Sequence, residues 1–166
     1  MKTSMKILFG GAAITSALVG LALATPIVDL TSPLLSVGNQ NNDIHERGTF
    51  QLSNGDEFKA VVETRGPATI SVQEAAYSLG GHNGWHSHPG VVAVTLISGT
   101  IQWYNENCEP TVYTAGDSWV EGSQHHYFRN IGTGTAELTA VFITAQGQAL
   151  RIDQAAPPCA AALGLD

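Results

Sequence analysis

From residue 47 to residue 151 the chain alternates short apolar segments with clusters of turn residues. The apolar segments are rich in Val, Ile, Thr and aromatic residues, which favour β-strands, and the clusters between them are rich in Gly, Pro, Asn and Asp. This pattern predicts strands over residues 58–64, 69–77, 91–97, 100–104, 111–113, 118–120, 127–129 and 137–144. Many short strands at this spacing indicate an antiparallel sandwich or barrel.

The rest of the chain adds no second folded unit. No segment has a helical period, apart from a short turn in the Ala-rich tail, and the sequence contains no internal repeat. Residues 25–46 are polar and are interrupted by Pro26 and Pro33, so we expect an arm or linker there. The sequence therefore predicts one folded domain over residues 47–166.

The first 24 residues have the composition of an export signal. Lys2 and Lys6 precede a long apolar run that ends in Ala22-Leu23-Ala24, a typical signal-peptidase site. The alternative is an uncleaved membrane anchor, because the run is nearly long enough to span a bilayer. The small residues and the cleavage site favour a signal peptide over residues 1–24. We therefore expect a secreted or periplasmic protein that has no contact with the membrane after cleavage.

The charge of the chain argues against one class of partner. The chain carries 7 basic and 14 acidic residues, which gives a net charge of −7. Loss of Lys2 and Lys6 with the signal makes the mature chain more acidic still. Because a surface of this sign repels phosphate backbones, we expect no nucleic-acid partner.

The chain contains two cysteines, Cys108 and Cys159. In an oxidising compartment they can form one intramolecular disulfide, which would tie the C-terminal tail to the loop around residues 105–110. The alternative is a pair of free thiols. A role as metal ligands is disfavoured, because neither cysteine has a second Cys or a His at the spacing of a metal-binding pair.

The segment GGHNGWHSHPG contains the residues that most strongly suggest chemistry. His86 and His88 are two residues apart, so in a strand they lie on the same face, as two ligands of one metal ion would. By the same parity Val92, Val94 and Leu96 follow on that face. The alternative is a hydrogen-bonded pair of core histidines, and the H-x-H pattern alone does not decide between them.

Two stretches of the chain resemble the two motifs of the cupin superfamily. The first motif, G-(X)5-H-X-H-(X)3-4-E-(X)6-G, is matched by Gly80, His86, His88 and Gly99. The second, G-(X)5-P-X-G-(X)2-H-(X)3-N, is matched in a form one residue shorter by Gly116, His126 and Asn130. The chain is most similar to small exported cupins with a GWHSHPG core.

This resemblance implies an all-β fold, the antiparallel double-stranded β-helix or jelly-roll barrel. It also implies that His86, His88 and His126 are metal ligands at the mouth of the barrel. Three histidines with an open position can hold a divalent ion of Zn, Fe, Mn, Ni or Cu, and the sequence does not choose among these metals. Since cupin barrels commonly pair, a homodimer is a candidate assembly.

The chain departs from the family pattern at the glutamate of the first motif, where Val92 stands. We therefore expect a site without its usual carboxylate ligand, in which a Val92→Glu replacement would tighten metal binding by restoring the missing charge. Gln73 and Gln102, on neighbouring predicted strands, are candidates to supply an amide oxygen instead. The alternative is that both are ordinary polar residues of the barrel wall.

These observations support three hypotheses about function. The first is a metal-dependent enzyme, an oxidoreductase, isomerase or hydrolase, that acts on a small organic molecule inside the barrel. The second is a module that binds a small ligand or a metal without catalysis. The third is a structural barrel with vestigial histidines. Because no catalytic base is evident beside the histidines, the sequence specifies no reaction.

The export signal leads to a prediction about the mature chain. We expect it to begin at Thr25, because cleavage follows the Ala22-Leu23-Ala24 site. N-terminal sequencing of protein secreted by an exporting host checks this. Secreted material that still begins at Met1 would contradict it.

Overall fold

The structure is a computed structural model that describes residues 26–165. The predicted export signal, residues 1–24, lies outside the described residues. Within them the regular structure consists of β-strands and one short 3₁₀ helix. No helix among the described residues is long and apolar enough to cross a membrane.

The strands follow one another closely along the chain. They are β1 (Val28–Thr31), β2 (Leu34–Gln40), β3 (His45–Gln51), β4 (Glu57–Glu63), β5 (Ala68–His82), β6 (His86–Ser87), β7 (Gly90–Ser98), β8 (Thr100–Asn105), β9 (Pro110–Thr114), β10 (Ser118–Glu121), β11 (His126–Asn130), β12 (Ala136–Ala145) and β13 (Ile152–Asp153). The 3₁₀ helix, Ala161–Leu163, lies in the Ala-rich tail where a short turn was predicted. Every strand predicted from the sequence is present, as β4, β5 and β7 to β12.

The strands pair antiparallel and form a nearly closed barrel. The path through the main sheet is β10-β7-β12-β5-β11-β6-β13, and β8 joins it by pairing with β11 and β9. β3 and β4 form a separate two-stranded sheet. The predicted all-β antiparallel jelly-roll is confirmed.

The range expected to form a polar arm or linker contains two strands of the main sheet. β1 and β2 both pair with the long strand β5, for example through Leu30 opposite Tyr77 and Val37 opposite Ser71. All residues of β2 are exposed, so this strand has no buried face and its sequence shows no alternation of apolar and polar residues. This part of the chain therefore belongs to the sheet.

The barrel core is built from every second residue of the central strands. On β7 the side chains of Val92, Val94 and Leu96 are buried, whereas those of Val91 and Ile97 are exposed. This is the parity expected from the sequence, since successive side chains of a strand point to opposite faces. The partner strand β12 alternates in the same way, with its Leu and Phe side chains inside.

The C-terminal tail covers a second, smaller core beside the histidine segment. Trp85 is fully buried there, and its Nε1 donates a hydrogen bond to the carbonyl oxygen of Leu165 at 2.8 Å. Its own carbonyl oxygen accepts a hydrogen bond from the backbone N–H of Gln154 at 2.9 Å. The predicted disulfide between Cys108 and Cys159 fastens the same tail to the loop after β8. A disulfide is typical of proteins from oxidising compartments.

The disulfide leads to a prediction about stability. It closes a loop of 51 residues, so the double variant Cys108→Ser/Cys159→Ser should lose about 4 kcal/mol of unfolding free energy in the chain-entropy model. Chemical denaturation of the variant and of the oxidised wild type measures the difference, and wild type kept in reductant is the matched control. Equal stability of all three samples would contradict the prediction.

Candidate metal centre

Four buried side chains converge at one end of the barrel. They are His86 in β6, His88 just before β7, Glu121 at the end of β10 and His126 at the start of β11. One ligand atom from each lies within 4.8 Å of the others. The structure therefore brings together all three histidines singled out in the sequence, and it adds a carboxylate.

Strand pairing sets the positions of these side chains. His126 lies directly opposite His86 in the pairing of β11 with β6, and the centroids of the two rings are 4.2 Å apart. The ring of His88 is 4.9 Å from that of His86 and 5.0 Å from that of His126. Glu121 lies directly opposite Val92 in the pairing of β10 with β7. The site is thus assembled from neighbouring strands rather than from one loop.

Each histidine is held by the same kind of hydrogen bond. Nδ1 of His86, His88 and His126 lies at 2.9, 2.7 and 2.9 Å from the carbonyl oxygens of Gly84, Leu150 and Gln124. Since a carbonyl oxygen only accepts, each Nδ1 carries a proton and donates it. A neutral ring of this tautomer presents Nε2 as an acceptor, which is the form that binds a metal.

The cluster therefore contains several acceptors and no donor between them. Oε2 of Glu121 lies 3.2 Å from Nε2 of His88 and 3.3 Å from Nε2 of His126. Nε2 of His126 is buried and has no hydrogen-bond partner among the described residues. Acceptors at these distances repel one another unless a proton or a cation lies between them. Their chemistry and spacing fit a divalent metal ion.

Glu121 is held by two tryptophans on its other side. Its Oε1 accepts hydrogen bonds from Nε1 of Trp119 at 2.8 Å and from Nε1 of Trp103 at 3.0 Å. Burial by itself raises the pKa of this carboxyl, but hydrogen bonds from His126 and His88, when either ring carries a proton on Nε2, lower it more. The pKa of Glu121 therefore lies well below its ordinary value, and the group is a carboxylate.

Burial also controls the ionisation of the neighbouring groups. It lowers the pKa of His86 to about 2, with smaller contributions from His126, when that ring is protonated, and from the positive charge of Arg151, so this imidazole stays neutral. Burial and the nearby Glu121 carboxylate raise the pKa of Tyr77 above its ordinary value, so its hydroxyl stays protonated.

The expectation that the site lacks a carboxylate is wrong. Glu121 supplies one from β10, at the position across the strand pair from Val92. Neither candidate amide belongs to the group: Gln73 donates to the carbonyl oxygen of Ser32, and the amide oxygen of Gln102 accepts from Arg129. The missed signal was the alternation in Ser118–Glu121, which puts Glu121 on the same inward face as Trp119.

The other histidines lie outside the cluster. His45 is exposed, and its Nε2 lies 3.7 Å from a carboxylate oxygen of Asp43. The ring of His82 stacks on Tyr127, with centroids 5.2 Å apart. His125 precedes His126 directly, but it is not one of the four converging side chains.

Two further motif residues have structural roles. Asn130 donates from Nδ2 to the carbonyl oxygens of Tyr77, Ser78 and Gly134, which fixes the turn that leads into β12. Gly99 has φ of 86°, and a Cβ atom there would lie 2.6 Å from the Cα atom of Ala136. Only glycine meets both conditions at the turn between β7 and β8.

A cavity of about 240 Å³ opens beside the histidines inside the barrel. His86, His88 and Glu121 line one side of it. Its other walls are mostly apolar and come from β5, β7, β11 and β12. They include Ala75, Val94, Phe128, Leu138, Ala140 and Phe142. A small molecule bound in this cavity would therefore lie against both the polar cluster and an apolar surface.

The position of Val92 leads to a prediction that replaces the sequence-based one. Val92→Glu would place a second carboxylate in the core directly opposite Glu121, so the metal-free protein should lose roughly 3 kcal/mol or more of unfolding free energy. Val91→Glu on the exposed face of the same strand is the matched control and should be nearly neutral. Urea unfolding measures both. Equal stability of the two variants would contradict the prediction.

Comparison with known proteins gives the family of the fold. Residues 74–142 match the family model of the cupin domain. No curated protein matches the chain. The segment that matches the family model contains all four converging residues, His86, His88, Glu121 and His126.

Several solved structures are similar to this chain. An oxalate oxidase in complex with glycolate is 18% identical, with 50% of this chain and 45% of that chain covered and a TM-score of 0.44. A conserved double-stranded β-helix protein from Klebsiella pneumoniae is 27% identical, with coverages of 51% and 73% and a TM-score of 0.45. An RmlC-like cupin from Shewanella frigidimarina is 18% identical, with coverages of 47% and 68% and a TM-score of 0.41.

The match spans less than half of the oxalate oxidase chain. The family model, the two motifs and the barrel agree with one another on the fold. Residues 74–142 of this chain therefore match the cupin domain, and the fold around them is a cupin-like barrel.

Proposed function

We propose that this protein binds one divalent metal ion through Nε2 of His86, His88 and His126 and the carboxylate of Glu121, and that a small organic molecule binds beside it and is converted. The observation that carries the proposal is the convergence of four buried acceptor groups. All three Nδ1–H groups are already committed to backbone carbonyl oxygens, so each ring can offer only Nε2.

The ligand set limits the metal without identifying it. Imidazole nitrogen suits Zn, Fe, Ni and Cu, and carboxylate oxygen extends the set to Mn. Three neutral imidazoles and one carboxylate reduce the double charge of such an ion to a single positive charge. When bound, the ion would supply a Lewis acid that polarises an oxygen of the bound molecule or acidifies a water.

The residues around the cluster would set the conditions for binding. The apolar side chains of Val94, Leu138 and Phe142 keep water away from most of the cavity wall. Tyr77 lines the same cavity, and its hydroxyl, which stays protonated, would be able to donate a hydrogen bond to a molecule bound within its reach. Selection of the bound molecule would therefore depend on its shape and on a few polar contacts.

Binding without catalysis is the second candidate, and one observation favours it. Apart from the proposed ligands, the titratable side chains among the described residues of the cavity wall are Tyr77 and Arg151. The raised pKa of Tyr77 makes it a poor general base near neutral pH, and an arginine is always protonated. Any proton transfer would then depend on the metal site itself.

Export is also proposed, on two grounds. The sequence of residues 1–24 has the pattern of a signal peptide, and the disulfide between Cys108 and Cys159 is of the kind that persists in oxidising compartments.

Metal content tests the proposed site. Wild type loaded with Zn, Fe, Mn, Ni or Cu in turn and then desalted should retain about one ion per chain of at least one metal. His126→Ala should retain almost none, because it removes one of the four proposed metal ligands. His125→Ala, the adjacent residue outside the cluster, is the matched control and should retain as much as wild type. Elemental analysis gives the stoichiometry.

A second variant tests the carboxylate. Glu121→Gln keeps the shape and an oxygen for the tryptophans but removes the charge, so metal affinity should fall about 10-fold or more. Glu137→Gln on the exposed side of β12 is its control. Wild type that retains none of the five metals, or equal retention by His126→Ala, would disprove the metal site.

Turnover separates catalysis from binding. The metal-loaded wild type is incubated with a mixture of small organic molecules, and the mixture is followed by mass spectrometry with Glu121→Gln as control. An enzyme should consume many equivalents of one compound per chain and form a product. A binding module should deplete at most one equivalent, without product.

A further inference from the structure

Arg151 places a positive charge in the wall of the barrel cavity. It lies directly before β13, and its side chain is 22% exposed. The guanidinium lines the same cavity as His86, His88 and Glu121. Its Nε donates to a carboxylate oxygen of Asp153, an interaction at the exposed side of the group.

The other end of the guanidinium has no hydrogen-bond partner within residues 26–165. Nη2 of Arg151 is buried and makes no hydrogen bond to any described residue. Buried donors in folded proteins are nearly always bonded, and a charged donor without a partner is the costliest exception. Because arginine cannot release its proton, it cannot remove the cost by becoming neutral. An acceptor from outside the chain is the simplest partner for this nitrogen.

The segments of chain directly before and directly after Arg151 both contact the histidine segment, so the fold holds Arg151 close to the histidines. The residue before it, Leu150, accepts the hydrogen bond from Nδ1 of His88. The strand after it pairs with β6, with Asp153 directly opposite His86. The charge of Arg151 also contributes to the lowered pKa of His86. The arginine is therefore a fixed part of the site.

The rest of the cavity limits the size and the polarity of the molecule that carries this acceptor. A volume of about 240 Å³ holds a molecule of roughly the size of several waters, each of which occupies about 30 Å³. Apart from Ser32, Gln73 and Asn83, the rest of the cavity wall is mostly apolar and includes the side chains of Val94, Leu138 and Phe142. A second charge on the part of the molecule beside these apolar side chains would be buried without a partner, which is strongly unfavourable.

From these contacts we infer that the molecule bound in the barrel is a small monocarboxylate with an apolar body. This inference deepens the proposed function and rests on it for the role of the metal. The carboxylate lies between Nη2 of Arg151 and the histidine–glutamate cluster, and the apolar body lies along Val94, Leu138 and Phe142. Arg151 already shares charge with Asp153, and a divalent ion with Glu121 carries one positive charge, which a monoanion neutralises.

Binding of pentanoate tests this inference. Isothermal titration of metal-loaded wild type should show tighter binding of pentanoate than of pentanamide, which has the same shape without the charge. Glutarate, which has the chain length of pentanoate and a second charge at its far end, should also bind more weakly. Each difference should be about 10-fold or more, as expected for hydrogen bonds to a charged group. This comparison needs no variant.

Variants assign the effect to Arg151. Arg151→Gln should lower pentanoate affinity about 10- to 100-fold, leave pentanamide binding unchanged and keep one metal ion per chain. Arg47→Gln, an exposed arginine of β3, is the matched control and should bind pentanoate as wild type does. Equal affinity of wild type for pentanoate and pentanamide, or an Arg151→Gln variant that binds pentanoate as tightly as wild type, would overturn the inference.

The metal readout separates this inference from the proposed function. Pentanoate is titrated into both the metal-loaded and the metal-free full chain. If no metal binds but pentanoate binding still requires Arg151, the metal site fails and the carboxylate site stands. If metal binds through the histidines and Glu121 but Arg151→Gln has no effect on pentanoate, the carboxylate site fails and the metal site stands.

Discussion

The ionised carboxylate of Glu121 lies inside an otherwise apolar barrel, where an unpaired charge costs several kcal/mol. Hydrogen bonds offset this cost at one oxygen of the carboxylate, and a cation held between the acceptors would offset it at the other. Trp119 and Trp103 bind one oxygen through their indole N–H groups, and His88 and His126 face the other. For these contacts to form together, the pairing of β8 with β11 and the pairing of β10 with β7 must each keep their register. The buried charge thus links the arrangement of the barrel strands to the arrangement of the site.

The histidines depend on the backbone in the same way. Each ring is oriented by a carbonyl oxygen, and the carbonyl of Leu150 belongs to the segment that runs into the C-terminal tail. That tail is fixed by the disulfide of Cys159 and by the hydrogen bond from Trp85 to Leu165. Interactions that stabilise the tail therefore also keep the proton of His88 on Nδ1 and leave its Nε2 as an acceptor.

The sequence predicts those parts of this arrangement that depend on spacing within one strand. The H-x-H pair and the alternation of Val92, Val94 and Leu96 are local, and the structure has both. β1 and β2 were missed because a strand whose side chains are nearly all exposed has no alternation to detect.

Glu121 was missed for a different reason. Its place beside the histidines depends on which residue of β10 lies opposite Val92, and that register is a property of the pairing of two strands. The family motif assigns the carboxylate to the position of Val92, so the pattern by itself indicated a missing ligand. A predicted strand that ended at residue 120 also left Glu121 just outside.

Because the carboxylate comes from β10 and not from β7, its hydrogen-bond partners differ as well as its position in the sequence. At the position of Val92 a carboxylate would project from β7, next to Phe142 on the adjacent strand. From β10 it is reached by Trp119 and Trp103, which occupy Oε1 completely with two donated hydrogen bonds. Only Oε2 is left to face the histidines, so the cluster presents three nitrogens and one oxygen. The valine then fills the core where the charge would have been, and this part of the cavity wall stays apolar.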